Sequence, residues 1–151
     1  MDAIDHAESA FRQGYNCSQA VLIALVQPPG LDRDTALRLA SGFGGGVGRS
    51  GQICGAAAAA VMAIGLARGH STPERPAKER TYQLVHEFLQ RFQKEHGALT
   101  CLELLGCDIS TPAGFLAAKP RHDQICPQLV RNAVRIAASL IAASNAPASS
   151  P

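Results

Sequence analysis

Five cysteines stand in this 151-residue chain, Cys17, Cys54, Cys101, Cys107 and Cys126, and no two of them form a C-x-x-C pair. That spacing argues against a zinc ribbon, a thioredoxin-type motif and covalent haem attachment, all of which need close pairs. The positions align instead with expected helix starts. Cys17 follows Asn16, a favoured helix cap, and Gln19 stands where it completes a capping-box-like turn. Cys101 follows Thr100 in "TCLE", with Glu103 as the reciprocal residue. Cys126 precedes Pro127, which favours the first helical position, so Cys126 is the expected cap of a last helix. Cys54 opens a long apolar segment just after a glycine-rich stretch, whereas Cys107 follows Gly106 at the end of a short helix.

A helix start presents unpaired N–H groups and the positive end of the helix dipole, and both favour a thiolate over a thiol. On this reading Cys17 sits where its sulfur ionises most easily. Four such starts converging in space make a pocket for an anionic group, such as four thiolates around a metal or an iron–sulfur cluster. The plain alternative is that each cysteine is a small hydrophobe packed near a helix end.

The elements that must position these sulfurs are helices. Ile4, Ala7, Ala10 and Phe11 recur at helical spacing over residues 2–13, and Gly14 stops that helix. "CSQAVLIALV" forms a second, ended by Pro28, Pro29 and Gly30, and Asp32 or Asp34 caps a third. A fourth covers roughly residues 52–68, apolar nearly all round and therefore central. The fifth runs from Pro73 to His96 with Val85, Phe88, Leu89 and Phe92 as its buried stripe, closed by Gly97. A short helix near 101–106, one turn after Thr111-Pro112 and a last helix from Pro127 to about Ala143 complete the chain, with "SNAPASSP" expected to be a disordered tail. The expectation is an all-α bundle of six or seven helices in one domain, residues 1–143.

Composition agrees and narrows the function classes. The chain is 46% hydrophobic but only 5% aromatic, without Trp, which suits helices of small and aliphatic residues. Its formal net charge is +2 with Lys and Arg spread among acids, so neither a nucleic-acid surface nor a polybasic membrane patch is marked. The opening "MDAIDHAESAFRQG" lacks the apolar stretch of a signal peptide. The longest apolar run, Ile53 to Ala67, is short for a membrane span. A soluble, cytoplasmic protein is expected.

"GVGRSG", Gly46 to Gly51, matches G-x-G-x-x-G, but a dinucleotide site also needs a preceding strand and an acid about 20 residues on. Here a helix precedes the loop and no acid comes before Glu74; a P-loop fails because Arg49-Ser50 replaces Lys-Ser/Thr. The loop either connects helices flexibly or lets backbone wrap closely past a buried cofactor, donating N–H groups to sulfurs. In the second reading Gly44, Gly45, Gly46 and Gly55 contact the cofactor. Among the histidines, His122 is four residues before Cys126 and could serve that site as a ligand or a donor, beside the simpler reading of a loop histidine.

"FRQGYNCSQAVLIAL", "GFGGGVGRSGQICGA", "CLELLG" and "CPQLV" resemble, in order and spacing, the small redox-active proteins named for the pattern C, GCAxxG, C, C. The resemblance runs from about Phe11 to Val134 and places the four hallmark cysteines on Cys17, Cys54, Cys101 and Cys126, leaving Cys107 outside. Cys54-Gly55-Ala56 meets the GCAxxG motif except at its final glycine, where Ala59 stands. The family resembles the iron–sulfur-binding part of split-Soret cytochromes, which implies a cluster as ligand. The expected function is therefore to hold an iron–sulfur cluster on Cys17, Cys54, Cys101 and Cys126 for electron transfer with a redox partner protein, rather than to turn over a substrate. A metal-free thiol–disulfide protein and a structural zinc domain are the alternatives, and a homodimer is left open.

Overall fold

The structure, a computed structural model, describes residues 1–144. The tail expected to be disordered lies outside the described residues, apart from Ser144. Seven α-helices of five residues or more are present among the described residues: α1 (Ala3–Arg12), α2 (Cys17–Leu25), α3 (Arg33–Ala40), α4 (Gly55–Arg68), α5 (Arg75–His96), α6 (Cys101–Leu105) and α7 (Pro112–Ala143). The fold is all-α. Its β pairing is limited, among those residues, to an isolated antiparallel bridge between Ile53 and Thr100. No described helix is long and apolar enough to cross a membrane.

Each helix begins where local chemistry lets it. The Asp2 carboxylate accepts from the Asp5 N–H at 2.8 Å, and that of Asp32 from the Thr35 N–H at 2.9 Å, so Asp32 rather than Asp34 caps α3. Asn16 and Gln19 form a full capping box: the Gln19 N–H donates to Asn16 Oδ1 at 2.9 Å, and the Asn16 N–H to Gln19 Oε1 at 3.1 Å. At α6 only half of the expected box forms. The Glu103 N–H donates to Thr100 Oγ1, but the Glu103 carboxylate accepts a hydrogen bond from the Thr100 hydroxyl instead of from the backbone N–H.

The last helix corrects the expected boundary. Thr111 caps α7 and Pro112 opens it, and the helix then runs unbroken through Pro120 and Pro127. Cys126 therefore lies mid-helix and is not a cap. An interior proline costs ~3 kcal/mol or more because it removes a backbone hydrogen bond. Here the apolar face on both sides of the proline, from Ala118 through Leu129, Val130 and Val134 to Leu140, is buried against the bundle, and that burial outweighs the local preference.

Helix α4 is the centre, with Ala56, Ala57, Ala59, Ala60 and Ile64 fully buried. Alanine on every side lets α2, α5 and α7 all pack against it. Helix α1 lies across α2 and α7, and α3 lies against α2. At the far end of α4 the Arg68 guanidinium donates to Ser144 Oγ at 2.8 Å and to the Ile141 carbonyl, fastening it to the end of α7.

Candidate functional site

At the other end of α4 the helices enclose a cavity of about 790 Å³. Cys17 enters it from the first turn of α2, Cys54 from the cap of α4, Cys101 from the first turn of α6 and Cys126 from the middle of α7. Four segments distant in sequence thus bring four thiols to one place. Cys107 is not on the cavity wall, and its sulfur faces the Leu105 carbonyl at 3.7 Å. All five cysteines are free thiols.

Backbone pairing makes two of these positions neighbours. The Cys54 N–H donates to the Leu99 carbonyl at 2.8 Å and the Cys101 N–H to the Gln52 carbonyl at 2.7 Å, so residues 51–54 run alongside 99–102. This pairing also explains why α4 starts at Gly55 and not near residue 52. Before it comes the glycine stretch, in which residues 45–49 all have φ between 60° and 70°. That left-handed run includes Val47 and Arg49, for which it is unfavourable, and glycine supplies the other three positions. It is an ordered loop, closed by N–H donation from Gly48 to the Gly42 carbonyl and from Gln52 to the Gly46 carbonyl, each at 2.9 Å. The reading of the loop as a flexible connection is therefore set aside.

Gly44, Gly45, Gly46 and Gly55 line the cavity. At two of them the lack of a side chain is enforced. A Cβ on Gly46 would lie 2.6 Å from the Gln52 carbonyl oxygen and 2.7 Å from Cys101 Cβ; one on Gly55 would lie 2.7 Å from Cys17 Sγ and from the Phe43 carbonyl oxygen. A helix and no strand precedes this loop, which removes the dinucleotide fingerprint.

The expectation that helix-start cysteines ionise easily is corrected. The N–H groups of Ser18, Ala56 and Gly45 do favour the Cys17 thiolate, yet burial outweighs them and moves its pKa up. Burial and then the neighbouring Cys17 push Cys54 up to about 12 and Cys101 up to about 11. Cys126 moves up as well, through burial and then through Cys17, Cys54 and Cys101. Cys17 raises the pKa of the other three, so the four thiols share one electrostatic site, and as protons leave them the site gains charge that needs a cation to balance it.

The cavity wall carries two residues that sequence spacing did not single out, Arg49 and Phe115. The Arg49 guanidinium lies 4.1 Å from the centre of the Phe115 ring, and both line the cavity. His122 is on α7 and not in a loop; it also lines the cavity, with Nδ1 3.0 Å from Asp123 Oδ1 and its ring 5.8 Å from that of Phe11. No sequence signal pairs Arg49 with Phe115, because the left-handed turn that aims Arg49 is visible only as an excess of glycine. Among the described residues no three His, Cys, Asp or Glu side chains are grouped as ligands of a single metal ion.

The model of one protein family, described as "Putative redox-active protein (C_GCAxxG_C_C)", matches residues 15–140. The chain belongs to that family. Its membership supports a redox role, and the matched segment contains all four cavity cysteines. No curated protein and no solved structure matches the chain. In this C_GCAxxG_C_C protein the final motif position is Ala59, which is fully buried on α4 within the core.

Proposed function

We propose that this C_GCAxxG_C_C protein holds an iron–sulfur cluster on Cys17, Cys54, Cys101 and Cys126 and exchanges electrons with a redox partner protein. The observation that carries the reading is the convergence of four thiols from four separate segments on one cavity, with the fifth left out. The donor set fits such a group, since all-thiolate sites suit iron–sulfur clusters and zinc. So does the wall: Gly46 and Gly55 keep the backbone bare where a Cβ would collide with cysteine atoms. A bound cluster supplies one-electron chemistry at a potential set by charge, burial and hydrogen bonds to sulfur.

The chain's own residues would act as ligands and as the surroundings of those ligands. Each thiol gives up its proton to bind, so uptake is favoured as pH rises. The N–H groups of Ser18, Gly45 and Ala56 stabilise negative charge at the Cys17 sulfur, and Arg12, Arg49 and His122 are the basic side chains on the cavity wall. Raised thiol pKa values weigh against the thiol–disulfide alternative, in which nucleophilic attack needs a ready thiolate.

The test is anaerobic purification followed by absorbance, iron and sulfide analysis of wild type, Cys101→Ser and Cys107→Ser. A brown protein whose colour and iron disappear in Cys101→Ser but persist in Cys107→Ser is the expected result. A colourless zinc protein would support the structural alternative, and a metal-free one with a reversible disulfide the thiol alternative.

A further inference from the structure

One buried side-chain oxygen among the described residues has no hydrogen-bond partner: the hydroxyl of Ser18, a residue with 0% exposure. Leaving a buried hydroxyl unpaired is costly. A serine inside a helix can avoid the cost by bonding back to the carbonyl four residues earlier, but Ser18 is the second residue of α2 and has no helical carbonyl behind it.

Its position suggests what the hydroxyl is kept for. Ser18 follows Cys17 in the first turn of α2, and its side chain packs against the first residue of α4. A Cβ on Gly55 would fall 2.7 Å from Cys17 Sγ and 3.3 Å from Ser18 Cβ, so sulfur and serine crowd onto the same bare backbone, one residue after Cys54. Ser18 therefore sits at the α2–α4 contact, next in sequence to Cys17 and packed beside the residue that follows Cys54. A protonated thiol is a weak acceptor, while a thiolate is a good one. The cysteines here are free thiols, which leaves the hydroxyl with nothing worth donating to.

We propose that Ser18 is a positioning residue for the cluster assigned above, its hydroxyl rotating about χ1 to donate a hydrogen bond to sulfur on the Cys17–Cys54 side of the site once that sulfur is anionic. The inference rests on the proposed function. A change of χ1 rotamer moves the hydroxyl without moving the backbone. The bond restrains the sulfur and stabilises the more negative, reduced form, which raises the reduction potential.

The test compares wild type with Ser18→Ala, each studied metal-free and after anaerobic reconstitution with ferrous iron and sulfide. Both should take up the same iron per chain. The variant should have a more negative midpoint potential and should lose iron to a chelator about tenfold faster. Metal-free, the order should reverse: Ser18→Ala should unfold at higher denaturant than wild type, because the unpaired hydroxyl is gone. Wild type that takes up no iron overturns the cluster reading and this inference with it. Wild type that loads normally, beside a variant with the same potential and release rate, overturns the Ser18 role alone. A metal-free variant less stable than wild type shows the hydroxyl already partnered and also overturns it.

Discussion

Two regions of the bundle use burial in opposite ways. Along the contact of α5 with α4 and α7, the chain buries Phe88 and Phe92 completely within the core, their rings 5.8 Å apart. At the start of α4 the same helix gives way to glycines, cysteines and a cavity of about 790 Å³. The first region gains stability from every contact. The second gives up packing, holds an unpaired hydroxyl and buries thiols that resist ionisation. A fold that tolerates this has stability to spare elsewhere, and the contrast suggests that the two regions can be damaged separately.

The largest effect expected from breaking the packed region is that of Phe88→Ala. Removing a fully buried ring should cost about 3–5 kcal/mol in denaturant unfolding. The chains that remain folded should still take up iron in the wild-type ratio. A lower ratio per folded chain would mean that packing and site are one unit and that the contrast is wrong.

Gly46→Ala should do the reverse. The residue has φ +70, and its Cβ would strike the Gln52 carbonyl and Cys101 Cβ. The backbone carbonyl cannot yield without moving the pairing of residues 51–54 with 99–102. A destabilisation on the order of 1–3 kcal/mol is expected. The loss of bound iron should be far larger than that cost implies, because the strain falls on Cys101. Iron content equal to wild type would show that Gly46 serves only the loop.

The packed region was largely legible from the sequence and the site only partly so, for the same physical reason. Periodicity reports burial, so the Phe88/Phe92 stripe and the apolar α4 follow directly from spacing. Asn16, Gln19 and Thr100 were equally readable, since caps are local chemistry. Pro127 misled because local rules make it a helix start, whereas α7 is held by contacts far apart in sequence. The same non-local contacts turn His122 toward the cavity and bring Arg49 over Phe115. Cys17, Cys54 and Cys101 stand at helix starts as local chemistry predicts, but their protonation does not follow from it, because the dipole is a local property and burial is set by the whole fold.

A pair of cap removals sharpens the contrast at smaller cost. Asp32→Leu removes a plain cap and should cost about 1 kcal/mol with no change at the site. Asn16→Leu removes a cap and also the hydrogen bond from Asn16 Nδ2 to the Ser41 carbonyl at 3.0 Å, which ties α2 to the start of the glycine stretch. It should cost about 1 kcal/mol more than Asp32→Leu and also speed iron loss or shift the potential. Equal behaviour after matching for stability would leave Asn16 a purely structural residue.

The smallest effect expected is a difference in pH response. In the folded chain His96 is only 11% exposed, with Nε2 3.3 Å from the Asn132 amide nitrogen and its ring 4.7 Å from that of Phe92. Burial lowers its pKa; Glu95 pulls it up and Arg135 pushes it down. The unfolded chain therefore takes up a proton at this position before the folded one does, and stability should fall as pH drops below about 6.5. For the metal-free cysteine site the sign is opposite. Cys54 and Cys101 hold their protons more tightly folded than unfolded, so stability should fall as pH rises above about 8.5. Denaturant unfolding of the metal-free chain from about pH 10 down to about pH 5.5 should show both declines in wild type, and a shallower acid one in His96→Gln. Cys54→Ala should leave that decline intact and reduce only the alkaline one. If His96→Gln altered the alkaline side, or Cys54→Ala the acid side, the two regions would be electrostatically coupled.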